Sequence, residues 1–190
     1  MESNYNPAIH HRRSIRLKEF NYSQNGYYFI TICTKNRECY LGKIINKKMT
    51  LSNEGKIVLQ YWNELPNHFS NVGLDEYVIM PNHLHGIIVI ENDLNNDNRN
   101  AQCRGGVTPP LQHYTLGQII AYLKYQTTKT INQFYKTPGK PFWQRNYYEH
   151  IIRNESELTR IHEYIRNNPI QWEFDRNNRK NIARINNHNI

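Results

Sequence analysis

Asp75-Glu76-Tyr77-Val78-Ile79-Met80-Pro81-Asn82-His83-Leu84-His85-Gly86-Ile87-Ile88-Val89-Ile90-Glu91 is the stretch that decides the fold. Two runs rich in β-branched and apolar residues, Asp75 to Met80 and Leu84 to Glu91, are separated by Pro81-Asn82, a turn-forming pair. They predict two adjacent antiparallel strands, with His83-Leu84-His85 opening the second. Side chains two apart on a strand point to the same face, so both imidazoles can meet one metal ion. The spacing by itself is common, and two partly exposed histidines at a strand start are the plainer reading of it.

Upstream, Tyr27 to Thr34 is dense in aromatic and β-branched residues and follows Asn25-Gly26, which predicts a strand. Ile44-Ile45 and Met49-Thr50-Leu51 flank the polar Asn46-Lys47-Lys48 and predict a small hairpin. From Ser52 the apolar period lengthens: Val58, Trp62 and Leu65 share a helical face, and Pro66 ends the run. Downstream, residues 92–113 are polar and rich in Asn, Asp, Gly and Pro, a long flexible loop. Thr115-Leu116-Gly117-Gln118 has the form of a capping box, and Leu116, Ile119, Ile120, Leu123, Ile131 and Phe134 mark the amphipathic helix behind it. Phe142 to Ile152 predicts a fourth major strand. Asn154-Glu155-Ser156-Glu157 caps a last helix, with Leu158, Ile161 and Ile165 inward and Pro169 closing it.

Strand, helix, strand, strand, helix, strand is the order of an α+β, ferredoxin-like split βαβ antiparallel sheet with helices on one face, here with an appended C-terminal helix. One domain over residues 25–172 is expected, between a basic arm (1–24) and a basic, Asn-rich, frayed tail (173–190). A chain of 190 residues suits that organisation.

Composition narrows the function class. Mean hydropathy is −0.83, and nothing approaches the ~18 consecutive apolar residues of a membrane span, so no membrane partner is expected. No secretory signal opens the chain, and Cys33, Cys39 and Cys103 form no C-x-x-C pair. The expectation is a reducing cytoplasm and no structural zinc. Lys and Arg number 24 against 16 Asp and Glu, giving +8 and a pI near 9.4, and there are 14 tyrosines. A basic chain rich in flat rings suits a polyanion whose bases stack, which makes nucleic acid the expected partner. Arg12, Arg13 and Arg16 on the arm, Lys124 and Lys129 on the middle helix, and Arg145 are candidate phosphate contacts. Trp143 beside Arg145 is a candidate base-stacking ring.

On the last helix Tyr164 and Asn168 lie four apart, hence on neighbouring turns, and flank the apolar stripe on one side. Three motifs then occur in order: Met80-Pro81-Asn82-His83-Leu84-His85, Phe142 to Arg153 with its Trp143-Gln144-Arg145, and Tyr164-Ile165-Arg166-Asn167-Asn168-Pro169. From about Arg12 to Trp172 the chain resembles the HUH-type single-tyrosine transposases, nearest the REP-associated tyrosine transposase branch. The resemblance implies His83 and His85 as metal ligands, Tyr164 as nucleophile and Asn168 as third protein ligand, at a position where relatives often carry Gln. It also implies an imperfect DNA hairpin or single-stranded DNA as substrate, and Mg²⁺ or Mn²⁺ as cofactor. Asn82 and Gly86 depart from the family pattern, standing where bulky apolar residues bracket the histidines.

The implied activity is site-specific single-strand DNA cleavage and strand transfer through a covalent 5′-phosphotyrosine. Splitting one difficult displacement into two conserves the phosphodiester energy for rejoining. Two other classes compete with it. One is a non-catalytic single-stranded DNA or RNA hairpin-binding protein on a ferredoxin-like sheet. The other is a metal-dependent hydrolase, whose nearest acids before the motif are Asp75 and Glu76. The short 152–154 connection points to a tyrosine helix docked in cis and to a monomer; a homodimer exchanging that helix is the alternative.

Overall fold

The computed structural model describes residues 21–92, 114–178 and 181. The expected arm residues Arg12, Arg13 and Arg16, the body of the 92–113 loop with Cys103, and most of the segment after Asn178 lie outside the described residues.

The central strand β1 (Gly26–Cys33) pairs antiparallel with β5 (His83–Ile90) on one side and β6 (Tyr148–Ile152) on the other. β4 (Val72–Met80) pairs with β5, so the sheet order is β4-β5-β1-β6. That is the split βαβ order read from the sequence. A separate hairpin joins β2 (Gly42–Ile45) to β3 (Lys48–Leu51). Its two-residue turn sets Asn46 and Lys47 at φ of 49° and 61°, the left-handed geometry that matches strand twist in tight hairpins.

Alternation along the strands makes two unlike faces. Tyr28, Ile30 and Ile32 of β1 and Leu84, Ile88 and Ile90 of β5 point into the main core. That core is closed by α1 (Asn53–Asn63) and α3 (Leu116–Tyr135). Both helices start where the sequence indicates: the Ser52 side chain accepts from the Gly55 N–H, and Thr115 and Gln118 form a complete capping box. Pro66 acts differently from its reading as a helix stop. α1 ends at Asn63, and Pro66 sits in the first turn of a short α2 (Leu65–His68), where its missing N–H leaves no bond unmade.

The opposite face carries Phe29, Ile87 and Ile152, which pack against Ile161 and Ile165 of α4 (Glu155–Asn167). The appended helix therefore lies across the sheet from the other two, and β5 is buried along its whole length. Asn154 caps α4 by accepting from the Glu157 N–H at 2.9 Å.

Two findings depart from the sequence reading. The fourth strand is shorter, only Tyr148–Ile152, and Phe142 to Tyr147 touch the sheet through a single bridge, Thr34 to Trp143. The Trp143 ring is buried, and its Nε1–H donates to Thr127 Oγ1 of α3 at 2.8 Å. The segment is anchored to that helix, so it cannot run on as a ladder. A β-bulge interrupts β4 between Leu74 and Tyr77, placing Asp75 and Glu76 together opposite Ile87. Both acids reach α4, Asp75 to His162 at 2.9 Å and Glu76 to Arg166 at 2.8 Å. These contacts fix the orientation of the tyrosine helix on its own chain's sheet.

Gly86 has a packing reason. A Cβ built there would lie 2.5 Å from Cζ2 and 2.6 Å from Cη2 of Trp62, a ring with no exposed surface. Gly86→Ala is expected to cost roughly 1–3 kcal/mol through overpacking, read as a lower urea midpoint at unchanged slope.

Candidate active site and metal centre

His83 and His85 lie on the α4 face at the start of β5, in register with Cys33 and Thr31 of β1. Both are buried, at 0% and 1% exposure, with ring centroids 4.4 Å apart. Asn82 sets the tautomer of the first. Its Nδ2 donates to the carbonyls of Arg37 at 3.0 Å and Asn177 at 2.8 Å, so its Oδ1 accepts from His83 Nδ1–H at 2.8 Å. The lone pair of His83 is thereby left on Nε2, which is buried and has no hydrogen-bond partner. A bulky apolar residue at position 82 could not perform this task, which accounts for the departure from the family pattern.

His85 is held between two elements, Nδ1 at 2.8 Å from Thr31 Oγ1 and Nε2 at 3.2 Å from the Tyr164 hydroxyl. The Tyr164 ring stands edge-on to Phe29, 6.0 Å between centroids, and 5.2 Å from His85. Tyr164 is 41% exposed, open to a cleft of about 540 Å³ also lined by Tyr148, Arg160, Phe174 and Arg176. Burial raises its phenol pKa above the usual value. The Asn168 side chain pulls it down, Asp175 pushes it up and Arg176 lowers it again. Asn168 is 3% exposed and lines the same cleft, and its Oδ1 is a second buried acceptor with no partner.

Asp175 joins this set and was not singled out in the sequence. Its Oδ2 lies 3.8 Å from His83 Nε2, and its Oδ1 accepts from the Asn177 N–H at 2.6 Å. One ligand atom each from His83, His85 and Asp175 falls within 4.8 Å of the others. Residues 175–178, read from sequence as part of a frayed tail, are packed here: Asn177 and Asn178 are buried, and the Arg176 carbonyl accepts from Arg37 at 3.1 Å. A lone Asp in an Asn-rich tail carries no pattern, because distant contacts, from Asn82 to the Asn177 carbonyl and from Arg37 to the Arg176 carbonyl, bring it to the histidines.

The donor set fits a divalent cation. Ligand atoms of two neutral imidazoles and a carboxylate lie together, and the Asn168 amide lines the adjoining cleft. His83 Nε2 and Asn168 Oδ1 are buried without partners among the described residues, a costly state unless something binds them. Burial holds His83 well below the ordinary imidazole value, reinforced by His85, Arg37 and Arg176. Burial lowers His85 to about 3; Arg176 acts in the same sense, and a hydrogen bond to the Ile30 backbone opposes them. With a neutral ring, the 3.8 Å contact of His83 with Asp175 is no ion pair.

The depressed values set a pH dependence of folding. The unfolded chain takes up protons on these rings below about pH 6.5, whereas the folded chain does not, so stability holds above that pH and is lost as pH falls. For His85 the loss is roughly 2 kcal/mol at pH 5. Thermal unfolding in EDTA is expected to drop between pH 7 and 5, with a smaller drop in His85→Gln. Equal pH slopes for the two proteins would contradict the burial argument.

No protein-family model matches the chain. A Haemophilus influenzae protein carrying the name "Uncharacterized protein" is 49% identical over 177 residues, covering 92% of this chain and 97% of that protein. The solved structure of a REP-associated tyrosine transposase bound to a REP hairpin shares the fold at 18% identity and a TM-score of 0.58, over 84% of this chain and 74% of that one. A second H. influenzae protein, named "Putative REP-associated tyrosine transposase", is 28% identical over 160 residues, 80% of this chain and 74% of that protein. The chain is thus similar in sequence to a putative REP-associated tyrosine transposase and shares the fold of a solved one.

Of the residues carried over by motif, His85, Tyr164 and Asn168 line one cleft, and His83 packs beside His85. The described residues expected to contact DNA, Lys124, Lys129, Trp143 and Arg145, lie outside the lining of that cleft. Lys124 Nζ donates to the Gln144 and Arg145 carbonyls at 2.6 and 3.0 Å, and burial lowers its pKa to about 8. It ties the 142–147 segment to α3, so its ammonium is engaged in structure and not held out toward a phosphate. Trp143 is 6% exposed, a core ring with no face for a base. Lys129 and Arg145 are exposed and line a separate groove on α3. Among the described residues, no helix is long and apolar enough to cross a membrane.

Proposed function

We propose that the protein is a metal-dependent single-strand DNA endonuclease and strand transferase that acts through a covalent phosphotyrosine on Tyr164. The observation that carries this reading is the 3.2 Å contact between the Tyr164 hydroxyl and His85 Nε2, which sets a nucleophile of the cleft against the histidine pair. The Tyr164 oxygen attacks the scissile phosphorus, the P–O3′ bond breaks, and the phenolic proton is finally carried by the departing 3′-oxygen. The products are a 5′-phosphotyrosine and a free 3′-hydroxyl, and the same steps reversed by a 3′-hydroxyl rejoin a strand without ATP.

His83, His85, Asp175 and Asn168 would hold Mg²⁺ or Mn²⁺; the two nitrogen donors favour Mn²⁺. A bound cation would withdraw charge from a non-bridging phosphate oxygen and orient the scissile group. His85 is a poor base for the phenol, because burial lowers the imidazole pKa while burial raises that of the phenol. Phe29 and the α4–sheet ion pairs keep Tyr164 from swinging away. Arg160 and Arg176 supply positive charge at the cleft for the DNA backbone.

The hydrolase reading loses Asp75 and Glu76, which are engaged by His162 and Arg166. The non-catalytic reading leaves two buried orphan acceptors and an oriented tyrosine without a purpose. The test uses an imperfect single-stranded hairpin, labelled at either end, with Mn²⁺. A denaturation-resistant adduct that carries the 3′ label is expected, because the downstream fragment stays on the tyrosine. An adduct carrying only the 5′ label would reverse the polarity, and cleavage without any adduct would mean hydrolysis.

A further inference from the structure

A groove of about 720 Å³ runs along the outer surface of α3 and the 136–145 segment, apart from the catalytic cleft. Its walls are largely apolar: Pro138, Pro141 and the ring of Tyr125, which is 63% exposed. Lys129, Lys136 and Arg145 line it as exposed cations, and among the described residues no carboxylate lines it. Lys124 contributes its stem, with its ammonium turned onto the Gln144 and Arg145 carbonyls.

An exposed tyrosine on the middle of a helix, facing prolines and flanked by cations of one sign, has no packing role in the described structure. An apolar peptide would gain nothing from three cations, and an acidic peptide would not need the flat ring and prolines. A nucleotide matches both features, its base against a ring and its phosphate against lysine and arginine. The groove also adjoins the catalytic cleft along the chain. Arg145 lines the groove and Tyr148 lines the cleft, with only Asn146 and Tyr147 between them. At about 3.3 Å per extended residue, that step is roughly 10 Å.

We propose that this groove holds the single-stranded DNA flanking the scissile phosphate, with an unpaired base against Tyr125 and phosphates on Lys129, Lys136 and Arg145. The inference rests on the proposed DNA-cleaving function and assigns its substrate a second anchoring surface.

The test is fluorescence anisotropy of full-length protein with two labelled DNAs, a hairpin bearing a ten-nucleotide single-stranded flank and the same hairpin with a blunt end. Tyr125→Ala is expected to weaken binding of the flanked DNA by roughly 5- to 100-fold while leaving the blunt hairpin within about twofold. Lys129→Ala/Lys136→Ala is expected to lower the log–log salt slope for the flanked DNA by about 1.4, two contacts at about 0.7 each. These residues are exposed, so circular dichroism should be unchanged. Equal losses on both DNAs would reduce the groove to a general basic surface, and unchanged binding in both variants would overturn the proposal outright. The covalent adduct on wild-type protein is scored in parallel. An adduct with unchanged groove variants rejects the groove alone, whereas weakened flank binding without any adduct rejects the tyrosine chemistry alone.

Discussion

Tyr164→Phe is expected to reduce covalent adduct and strand cleavage by roughly 10³-fold or more, while the hairpin is bound within about twofold of wild type. The substitution removes one oxygen, which contacts His85 Nε2 at 3.2 Å and faces a cleft. The ring that remains keeps its edge-on packing against Phe29. Stability should therefore change little, with melting temperatures within a degree or two. A residual rate close to wild type would transfer the attack to water or to another residue, and the hydrolase reading would return. The exposed Tyr148, lining the same cleft, is the internal control, and Tyr148→Phe should cleave normally.

The second large effect belongs to the histidine pair. Loss of a ligand from a three- or four-donor site should lower cation affinity and cleavage by at least 100-fold, beyond the 10–100-fold typical of removing a residue that only supports a ligand. Wild-type protein should gain roughly 2.7 kcal/mol of stability at a Mn²⁺ concentration 100 times its Kd, and His83→Gln should gain none. Glutamine is preferred to alanine here, because the ring is wholly buried and a cavity would add its own cost. Asp175→Asn distinguishes the two oxygen donors. If the carboxylate ligates, this variant should lose more Mn²⁺ stabilisation than Asn168→Ala, and the reverse order would restore Asn168 as the principal oxygen ligand. A wild-type protein that Mn²⁺ does not stabilise would remove the metal from the account.

How much of this was legible in the sequence depends on whether a feature is local. The hairpin turn, the Thr115–Gln118 capping box, the Asn154 cap and the β4–β5 pair follow from short-range chemistry, and the structure has them where the residues indicate. The i, i+2 rule put His83 and His85 on one face, and the i, i+4 rule put Tyr164 and Asn168 on one side of a helix. Errors arose where a distant contact overrides local propensity. Phe142 to Tyr147 has strand-like composition, yet Thr127 and Lys124 of α3 hold it off the sheet. Asp75 and Glu76 would alternate on a regular strand, and only the bulge turns both toward α4. Asp175 depends on an asparagine 93 positions earlier holding the tail backbone through the Asn177 carbonyl. Asn82 and Gly86, which look like lapses in the motif, are explained by that bond and by the Trp62 ring.

The measurement that bears most directly on the central claim is mass spectrometry of the protein–DNA adduct after proteolysis and nuclease trimming. The account expects a nucleotide 5′-phosphate esterified to the peptide containing Tyr164, formed only with divalent cation. A modified peptide from any other residue, or strand cleavage with no modified peptide at all, would contradict it.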